Sequence, residues 1–321
     1  MHVLFVIDPL PLLKAYKDSS VAMMRALSAR GHTFSVVGMA EIYLDEGVVT
    51  ANAAGIELRT QADLHAHAWW RETTAARGAP LAKFDAVIMR KDPPFDMEYV
   101  YATHLLDYAQ AQGAHVFNSG AAIRNHPEKL AIFEFPQFTV PTLVTSNISR
   151  LRQFHASQKD VIVKPLDGMG GAGVFRLRAV EPNLNAILET LTANGSRTIM
   201  AQRYIPEVVD GDKRILVIGG EAVPYALARL PVAGETRANL AAGGHGVARP
   251  LSGRDQEIAR TIGPDLARRG LLLLGLDVIG QYLTEINVTS PTCFVEITEQ
   301  TGFDVADFFV AALERAVGGQ S

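Results

Sequence analysis

The first third of the chain alternates between strand-like and helix-like apolar patterns. The run HVLFVID is followed by SSVAMMRALSARG, which has a helical period and ends at Gly31, and then by the strand-like TFSVVGM. DAVIMRK, a helical pattern from Asp96 to Gly113, and AHVFN continue this order. Such alternation predicts a parallel sheet covered by helices, so we expect a Rossmann-like α/β domain over residues 1–124.

The turn after the first strand argues against a dinucleotide cofactor in this domain. It reads DPLPLLKAYKDSS and contains no glycine, whereas dinucleotide sites of this fold carry glycines at that turn. The predicted domain therefore has a Rossmann-like order of elements without a Rossmann cofactor site.

Composition excludes several classes of protein. The 321 residues include 34 acidic and 30 basic side chains, and this balance argues against a broad nucleic-acid surface. The single cysteine, Cys293, cannot form an internal disulfide, which is typical of a reducing compartment. No signal peptide is recognisable, and no apolar stretch approaches the ~18 residues of a membrane span. We therefore expect a soluble cytoplasmic protein that binds neither nucleic acid nor membrane.

Beyond about Pro127 the pattern changes to short strands separated by tight turns. Examples are DVIVKPL, GVFRLR, KRILVIGG and LTEINV, which favour antiparallel pairing and predict an α+β region to about residue 315. The stretch from Pro231 to Pro250 contains four glycines and little periodicity. A loop of this length in a compact domain is often a lid or a disordered segment.

The segment KPLDGMGGAGVF, from Lys164 to Phe175, contains a formal G-x-G-x-x-G match. In a dinucleotide site the third glycine opens a helix, but here Gly173 precedes the strand-like VFRLR. The segment is thus predicted to be a hairpin loop, either a flexible turn or a loop whose backbone N–H groups hold phosphate. Lys164 favours phosphate, because a lysine in an apolar strand is costly to bury unless it faces an anion.

A group of oxygen ligands lies near the C-terminus, in GLDVIGQYLTEINVTSP. Glu285 and Asn287 are two apart on a predicted strand and share a face, and Asp277 precedes them across a short turn. Such ligands suit Mg²⁺, although each alone would more often be a solvent-facing polar residue. Asp277 shares their face only if the turn has an odd length or a bulge, so we predict a three-residue turn, Gly280 to Tyr282, or an equivalent bulge.

Four motifs in this order closely resemble the bacterial glutathione synthetases of the ATP-grasp superfamily. They are KPLDGMGGAGVFR, DGDKRILV, ETRANLAAGGHG and LTEINVTSPT, and RKDPPFD and KDSS match the N-terminal domain of that family. The resemblance implies a two-lobed ATP-grasp domain, with lobes at 125–204 and 205–321. It also implies ATP-dependent ligation of γ-glutamylcysteine to glycine through an acyl phosphate, with two Mg²⁺ ions, or Mn²⁺, as metal.

The same resemblance implies roles for individual residues. Lys129 and Lys164 would contact the ATP phosphates, and the metal ligands would be Asp277, Glu285 and Asn287. The other implied nucleotide residues are Gly168, Gly170 and Gly171 over the phosphates, Gln202 and Tyr204 at the adenine, Asp212 near the ribose or metal, and Asn239. The implied catalytic arginines are Arg214, Arg229 and Arg237. In the loop, His245 stands where relatives lead us to expect a more basic residue.

The dipeptide site is expected at the N-terminal domain. Arg90 and Asp92 follow the strand DAVIM, at the end where ligands of open α/β sheets collect, although Arg90 could equally form a structural ion pair. Asp18 and Ser19 are candidates through the motif KDSS, which is also an ordinary helix cap. Ser290 completes the predicted substrate residues.

Two other functions stay open on the sequence alone. One is another ATP-grasp carboxylate–amine ligase with a different acid or amine, and the other is a non-catalytic ATP-binding protein. The intact lysines and metal ligands argue against the second. The resemblance further implies a homo-oligomer, either a dimer or a tetramer.

Overall fold

A computed structural model describes residues 1–59, 62–230 and 245–319 of the chain. The described residues form three β-sheets, of seven, four and five strands, which follow one another along the sequence. Helices cover each sheet. None of the helices in these three ranges combines the length and hydropathy that a membrane crossing requires.

The seven-stranded sheet forms the N-terminal part of the molecule. Its strands are β1 (His2–Val6), β2 (Thr33–Val37), β3 (Ile42–Asp45), β4 (Val48–Leu58), β5 (Trp70–Pro80), β6 (Ala86–Met89) and β7 (Val116–Phe117). The helices are α1 (Ser19–Ala29), α2 (Met97–Ala111) and α3 (Gly120–Asn125). Strands β2, β1, β6 and β7 are parallel neighbours, as the alternating pattern predicts. Leu4 and Val6 of β1 belong to a buried hydrophobic cluster that includes side chains of α2. Val3 and Phe5, which alternate with them, belong to a second cluster that includes side chains of α1.

The prediction of a wholly parallel sheet is wrong at one edge. Strand β4 pairs antiparallel with β2 and β3, and β5 pairs antiparallel with β4 along almost its whole length. The sequences VVTANAAGIEL and WRETTAARGAP are rich in alanine, threonine and charged residues, and only β4 has one face buried. Their extended form comes from pairing with each other rather than from a strong strand pattern.

The four-stranded sheet carries the glycine loop. Its strands are β8 (Thr142–Thr145), β9 (Val161–Pro165), β10 (Phe175–Leu177) and β11 (Ile199–Arg203), in the order β10-β9-β11-β8. The helices α4 (Ile148–Gln158) and α5 (Leu184–Leu191) cover one face through Leu151 and Leu188, which pack on Val161 and Val163. Phe175 pairs with Val163, so the glycine segment is a hairpin connection, as predicted.

The five-stranded sheet carries the predicted metal ligands. Its strands are β12 (Asp212–Ile218), β13 (Glu221–Leu230), β14 (His245–Pro250), β15 (Leu273–Ile279) and β16 (Tyr282–Asn287), and all its pairs are antiparallel. One face packs against α6 (Gly253–Arg268) through Ile215, Leu276 and Val278. Residues 245–250 thus form a strand paired with β13, which corrects the prediction of an irregular loop over that part.

The turn between β15 and β16 settles how Asp277 meets Glu285. Tyr282 pairs with Ile279, so the turn contains only Gly280 and Gln281, and the predicted three-residue turn is wrong. The alternative prediction, a bulge, is confirmed: Val278 pairs with Leu283, while Asp277 pairs with Glu285. The extra residue shifts the register by one and returns both carboxylates to one face.

Two C-terminal helices join the sheets. They are α7 (Phe294–Thr301) and α8 (Val305–Gly318). Phe294 and Phe309 are fully buried, in a cluster that contains both Val3 of the first sheet and Leu216 of the third. At the surface, Arg30 at the end of α1 forms salt bridges with Asp307 and Glu314 of α8.

Candidate active site

A cavity of about 360 Å³ is lined by residues of both C-terminal sheets. Alternation along β9 and β11 places Lys164 and Gln202 on the cavity face, while Val163 and Ala201 face the helices. Two N-terminal residues, Asp92 and Pro93, also line it. The predicted site residues in the cavity wall are Asp92, Lys129, Lys164, Gly168, Gly170, Gly171, Gln202, Tyr204, Asp212, Arg214, Arg229, Asp277, Glu285, Asn287 and Ser290.

The predicted adenine residues belong to β11 and the turn after it. Gln202 is buried, and its Nε2 lies 3.2 Å from Thr142 Oγ1. The guanidinium carbon of Arg176 lies 3.5 Å from the centroid of the Tyr204 ring, and Arg176 is itself held by two hydrogen bonds to Asp160. Stacking of this kind orients an aromatic ring at the cavity wall.

Two buried lysines project into the cavity from different elements. Lys129 follows α3, and its Nζ donates to the Gly168 carbonyl at 2.7 Å and to Glu285 Oε1 at 3.1 Å. Within the described residues, Lys164 Nζ forms its one hydrogen bond with a backbone carbonyl, that of Thr284, at 3.3 Å. Burial lowers the pKa of Lys164, against the opposing influence of Glu285. Anionic ligand groups would satisfy both ammonium groups better than the protein alone does.

The glycine loop passes over these lysines in a conformation that depends on glycine. Gly170, Gly171 and Gly173 have φ of +61°, +82° and +71°. A Cβ on Gly173 would lie 2.9 Å from Pro165 Cγ, so the loop also requires close approach to β9. The loop exposes backbone N–H groups beside two cations, which suits a phosphate chain.

Cross-strand pairing builds a cluster that we call the arginine–aspartate cluster: Asp212, Arg214, Arg229 and Asp277. Asp212 lies opposite Arg229 and Arg214 opposite Asp277, so all four share one face. Arg214 donates to both Asp277 oxygens, at 2.6 and 3.2 Å. Arg229 Nη2 lies 2.7 Å from Asp212 Oδ2 and 2.9 Å from Asp277 Oδ2.

The pKa values of the two aspartates move in opposite directions. Burial alone would raise the pKa of Asp277, but the two arginines outweigh burial and lower it. Burial raises the pKa of Asp212, and the nearby Asp277 adds to the rise. Asp212 Oδ1 is buried and has no hydrogen-bond partner in the part of the chain that the structure describes. An unsatisfied carboxylate oxygen of this kind is open to a cation.

The predicted metal ligands fit a hard cation that also binds substrate oxygens. Asp277 and Glu285 are cross-strand partners, and Asn287 is two residues beyond Glu285 and donates through Nδ2 to the Gly275 carbonyl. Among the described residues no group of three or more His, Cys, Asp and Glu side chains could hold a metal ion by itself. Two carboxylates and an amide match Mg²⁺, which takes few protein ligands and completes its shell with phosphates and waters.

The second group of charges, which we call the lysine–glutamate group, comprises Glu128, Lys129, Lys164 and Glu285. Sequence reasoning missed Glu128. Its Oε1 accepts from Val288 N at 3.0 Å, Thr289 N at 3.1 Å and Thr289 Oγ1 at 2.8 Å. Burial and the nearby Glu285 raise its pKa, although the bonds from Thr289 and Val288 oppose that rise. Its partners are about 160 residues away in sequence, so no local pattern identifies it.

Three of the predicted substrate residues bond to protein rather than line the cavity. Asp18 caps α1 by accepting from Ser20 N and Val21 N, and Ser19 Oγ accepts from Phe294 N at 3.3 Å. Arg90 is buried; it donates to Ser20 Oγ at 2.9 Å and to the Pro291 carbonyl at 3.0 Å, and its Nη1 has no partner among residues 1–59, 62–230 and 245–319. The bonds of Arg90 to Pro291 and of Ser19 to Phe294 hold the segment that follows Ser290, whereas those of Asp18 stay within the start of α1.

Two predicted residues, Arg237 and Asn239, lie outside the described residues. His245 begins β14, where it pairs with Leu230 at the exposed end of the strand. Cys293 is buried in the cavity wall at φ +88°, and burial raises the pKa of its thiol, consistent with a packing role.

Two family models match the chain. The N-terminal domain of prokaryotic glutathione synthetase matches residues 1–124, and the ATP-grasp domain of the same proteins matches residues 128–302. The glutathione synthetase of Bordetella parapertussis is 74% identical, covering 99% of this chain and 100% of that protein. That of Ralstonia nicotianae is 59% identical, covering 100% and 98%.

Solved structures share the fold at low identity. D-cycloserine synthetase superimposes with a TM-score of 0.68 at 16% identity, covering 98% of this chain and 100% of that one. The ATP-grasp ligase PsnB, complexed with minimal precursor, Mg and ADP, gives a TM-score of 0.62 at 20% identity, covering 99% and 98%. These similarities show the ATP-grasp fold.

Proposed function

The chain belongs to the prokaryotic glutathione synthetase family, and from this premise we propose how its cavity joins γ-glutamylcysteine to glycine. It is an ATP-dependent carboxylate–amine ligase that uses small-molecule substrates. The observation that carries the proposal is the convergence of two buried lysines, a glycine loop and the Asp277–Glu285 pair on one cavity. These groups suit transfer of a phosphoryl group to a carboxylate.

In the first step, the dipeptide carboxylate attacks the γ-phosphorus of ATP and forms an acyl phosphate and ADP. Two anions must approach each other, so fixed cations have to offset their repulsion. Lys129 and Lys164 bind the phosphates with their ammonium groups. Gly168, Gly170 and Gly171 bind the same phosphates with backbone N–H groups. Gln202 and Tyr204 hold the adenine, while Asp212 and Asn239 complete the nucleotide contacts.

Asp277, Glu285 and Asn287 hold the metal, for which we propose two Mg²⁺ ions, replaceable by Mn²⁺. Support comes from the oxygen-only ligands, from the unpartnered Asp212 Oδ1 and from the Mg and ADP in the related ligase PsnB. When bound, Mg²⁺ neutralises charge on the transferring phosphoryl group.

In the second step, the glycine amine, in its neutral form, attacks the acyl carbon; the bond from that carbon to the phosphate oxygen breaks, and the nitrogen gives up a proton as phosphate leaves. Arg214 and Arg229 carry their positive charges on the cavity face of the sheet, where they stabilise the negative charge that develops. Water would destroy the acyl phosphate, and we propose that the segment 231–244, with Arg237, has the role of excluding it.

We place the dipeptide at the N-terminal end of the cavity. Asp92 and Ser290 touch it directly, whereas Arg90 and Ser19 act by holding the segment that carries Ser290, and Asp18 acts by capping α1, which carries Ser19. The two-lobed division at 125–204 and 205–321, an oligomer of two or four copies and a cytoplasmic location remain parts of the same proposal.

One assay tests the reaction. The purified protein is incubated with ATP, Mg²⁺, γ-glutamylcysteine and glycine, and phosphate and tripeptide are measured, the latter by mass. We expect one phosphate for each tripeptide. Turnover only with other acids would identify a different carboxylate–amine ligase, and bound ATP without any product would identify a non-catalytic protein.

A further inference from the structure

Glu128 is a cavity residue to which neither the sequence motifs nor the steps above assign a role. It lies where the chain passes from the N-terminal sheet to the four-stranded sheet, and it lines the cavity together with Asp92 and Glu285. Glu128 therefore lies between the proposed substrate end and the proposed phosphate end.

Three hydrogen bonds fix the orientation of this carboxylate. All of them end on Oε1, and their donors are Val288 N, Thr289 N and Thr289 Oγ1. The backbone adds a fourth link, because Ile286 N donates to the Glu128 carbonyl at 2.9 Å. Within the described residues Oε2 accepts no hydrogen bond, so the carboxylate has one oxygen committed to the protein and one available.

No cation of the described residues forms a salt bridge with Glu128. The adjacent Lys129 turns to Glu285 and to the Gly168 carbonyl, and Lys164 turns to the Thr284 carbonyl. A largely enclosed carboxylate beside a second one is costly unless a positive charge binds it. The cavity is therefore built to receive a cation at this position.

The nature of that cation follows from the surroundings. Glu128 does not combine with Asp277 and Glu285 into a group that could hold a metal. The ligation, by contrast, needs an amine, which enters mainly as an ammonium at neutral pH and has three N–H donors to satisfy. We propose that Glu128 binds the ammonium group of the incoming amine substrate through Oε2, while Oε1 fixes the Val288–Thr289 turn.

This proposal rests on the proposed ligation, and two readouts separate them. Hydroxylamine is uncharged at neutral pH and traps an acyl phosphate as a hydroxamate, so it reports the first step without an ammonium. Full-length wild type and E128Q are compared for hydroxamate formation and for the KM of glycine, dipeptide, ATP and Mg²⁺. The substituted amide would keep an acceptor oxygen for the three donors but lose the charge. The matched control is E134Q, a glutamate paired with Arg269 outside the cavity.

We expect E128Q to raise the KM of glycine about tenfold or more. Hydroxamate formation and the KM values of ATP and dipeptide should stay within about twofold of wild type. An equal loss of hydroxamate and tripeptide, a higher Mg²⁺ requirement, a higher dipeptide KM or an unchanged glycine KM would each overturn the proposal. Absence of both products in wild type would instead overturn the ligation itself.

A second variant covers the case in which E128Q fails to fold. T289V removes the 2.8 Å hydrogen bond to Oε1 and leaves the carboxylate charge in place. The loosened carboxylate should raise the KM of glycine by a few-fold, with hydroxamate formation again close to wild type. A glycine KM equal to that of wild type would contradict the proposal.

Discussion

The arginine–aspartate cluster and the lysine–glutamate group line the same cavity but differ in how their charges are compensated. In the cluster, Asp277 receives hydrogen bonds from Arg214 and a salt bridge from Arg229, and the cross-strand register fixes all three. In the lysine–glutamate group, Lys164 meets only a carbonyl, and Glu128 meets no cation among the described residues. Within the described residues both arginines and Asp277 of the cluster are paired without ligands and only Asp212 Oδ1 is left open, whereas Lys164 and Glu128 of the second group are completed by substrates.

This difference explains how one site can be both stable and ready to bind. Cross-strand ion pairs hold the cavity face of the five-stranded sheet in place before any ligand arrives. Lys164 and Glu128 instead retain uncompensated charge, which lowers the stability of the free protein and strengthens binding of phosphate and ammonium.

Breaking the arginine–aspartate cluster should have the largest effect. D277N removes the charge of one of the two carboxylates that pair with the buried Arg214 and Arg229. It also removes a proposed metal ligand. We expect a loss of about 3–5 kcal/mol in the free energy of unfolding and of activity by a factor of about 10² or more. Denaturant titration measures the free energy of unfolding, and the ligation assay measures the activity. Near-normal unfolding would show that the cluster is not structural.

Removing a charge from the lysine–glutamate group should raise the free energy of unfolding of the ligand-free protein rather than lower it. K164M removes a buried ammonium, so activity should fall by a factor of about 10², while the ligand-free protein becomes more stable by about 1 kcal/mol. Thermal unfolding without nucleotide tests the second effect. K83M, at an exposed lysine, is the control, and destabilisation by K164M alone would contradict the account.

The raised pKa of Glu128 predicts a pH dependence of stability. The folded protein holds the Glu128 proton more tightly than the unfolded chain, so this group lowers the free energy of unfolding as pH rises above the unfolded pKa. E128Q should thus match wild type near pH 4 and be more stable by about 1 kcal/mol at pH 7, without ligands. Denaturant titrations at both pH values measure this. A difference independent of pH would exclude the charge as its cause.

Breaking the surface ion pairs of Asp265 should have the smallest effect on the free energy of unfolding. Asp265 on α6 lies beside Arg268 and Arg269, and their side chains are 71% and 42% exposed. D265N should change the free energy of unfolding by less than about 1 kcal/mol, because solvent already screens these charges. A loss comparable to that of D277N would remove the contrast between buried and exposed pairs.

Part of this site could be predicted from the sequence because its signals are local. The strand-like VFRLR after Gly173 excluded a dinucleotide loop, and the spacing of Glu285 and Asn287 placed both on one face. The requirement that Asp277 join them predicted a register shift. The sequence could not distinguish a three-residue turn from a bulge, because both restore the same alternation of side chains.

Other parts depend on pairing between distant segments. The cross-strand partners Asp212 and Arg229, or Arg214 and Asp277, are set by the register of β12, and no local pattern reveals that register. The sequences of β4 and β5 have weak strand propensity, and pairing between the two strands stabilises their extended form. The role of Glu128 depends on Thr289, which reaches it only after the third sheet has formed.

The contrast between the two groups is tested most directly by metal-linked nucleotide binding. Calorimetric titration with ADP, with and without Mg²⁺, is carried out on wild type and E285Q. We predict that Mg²⁺ strengthens ADP binding to wild type about tenfold or more, and that E285Q, still folded, loses most of this gain. An E285Q protein that kept the full Mg²⁺-dependent gain would contradict the account.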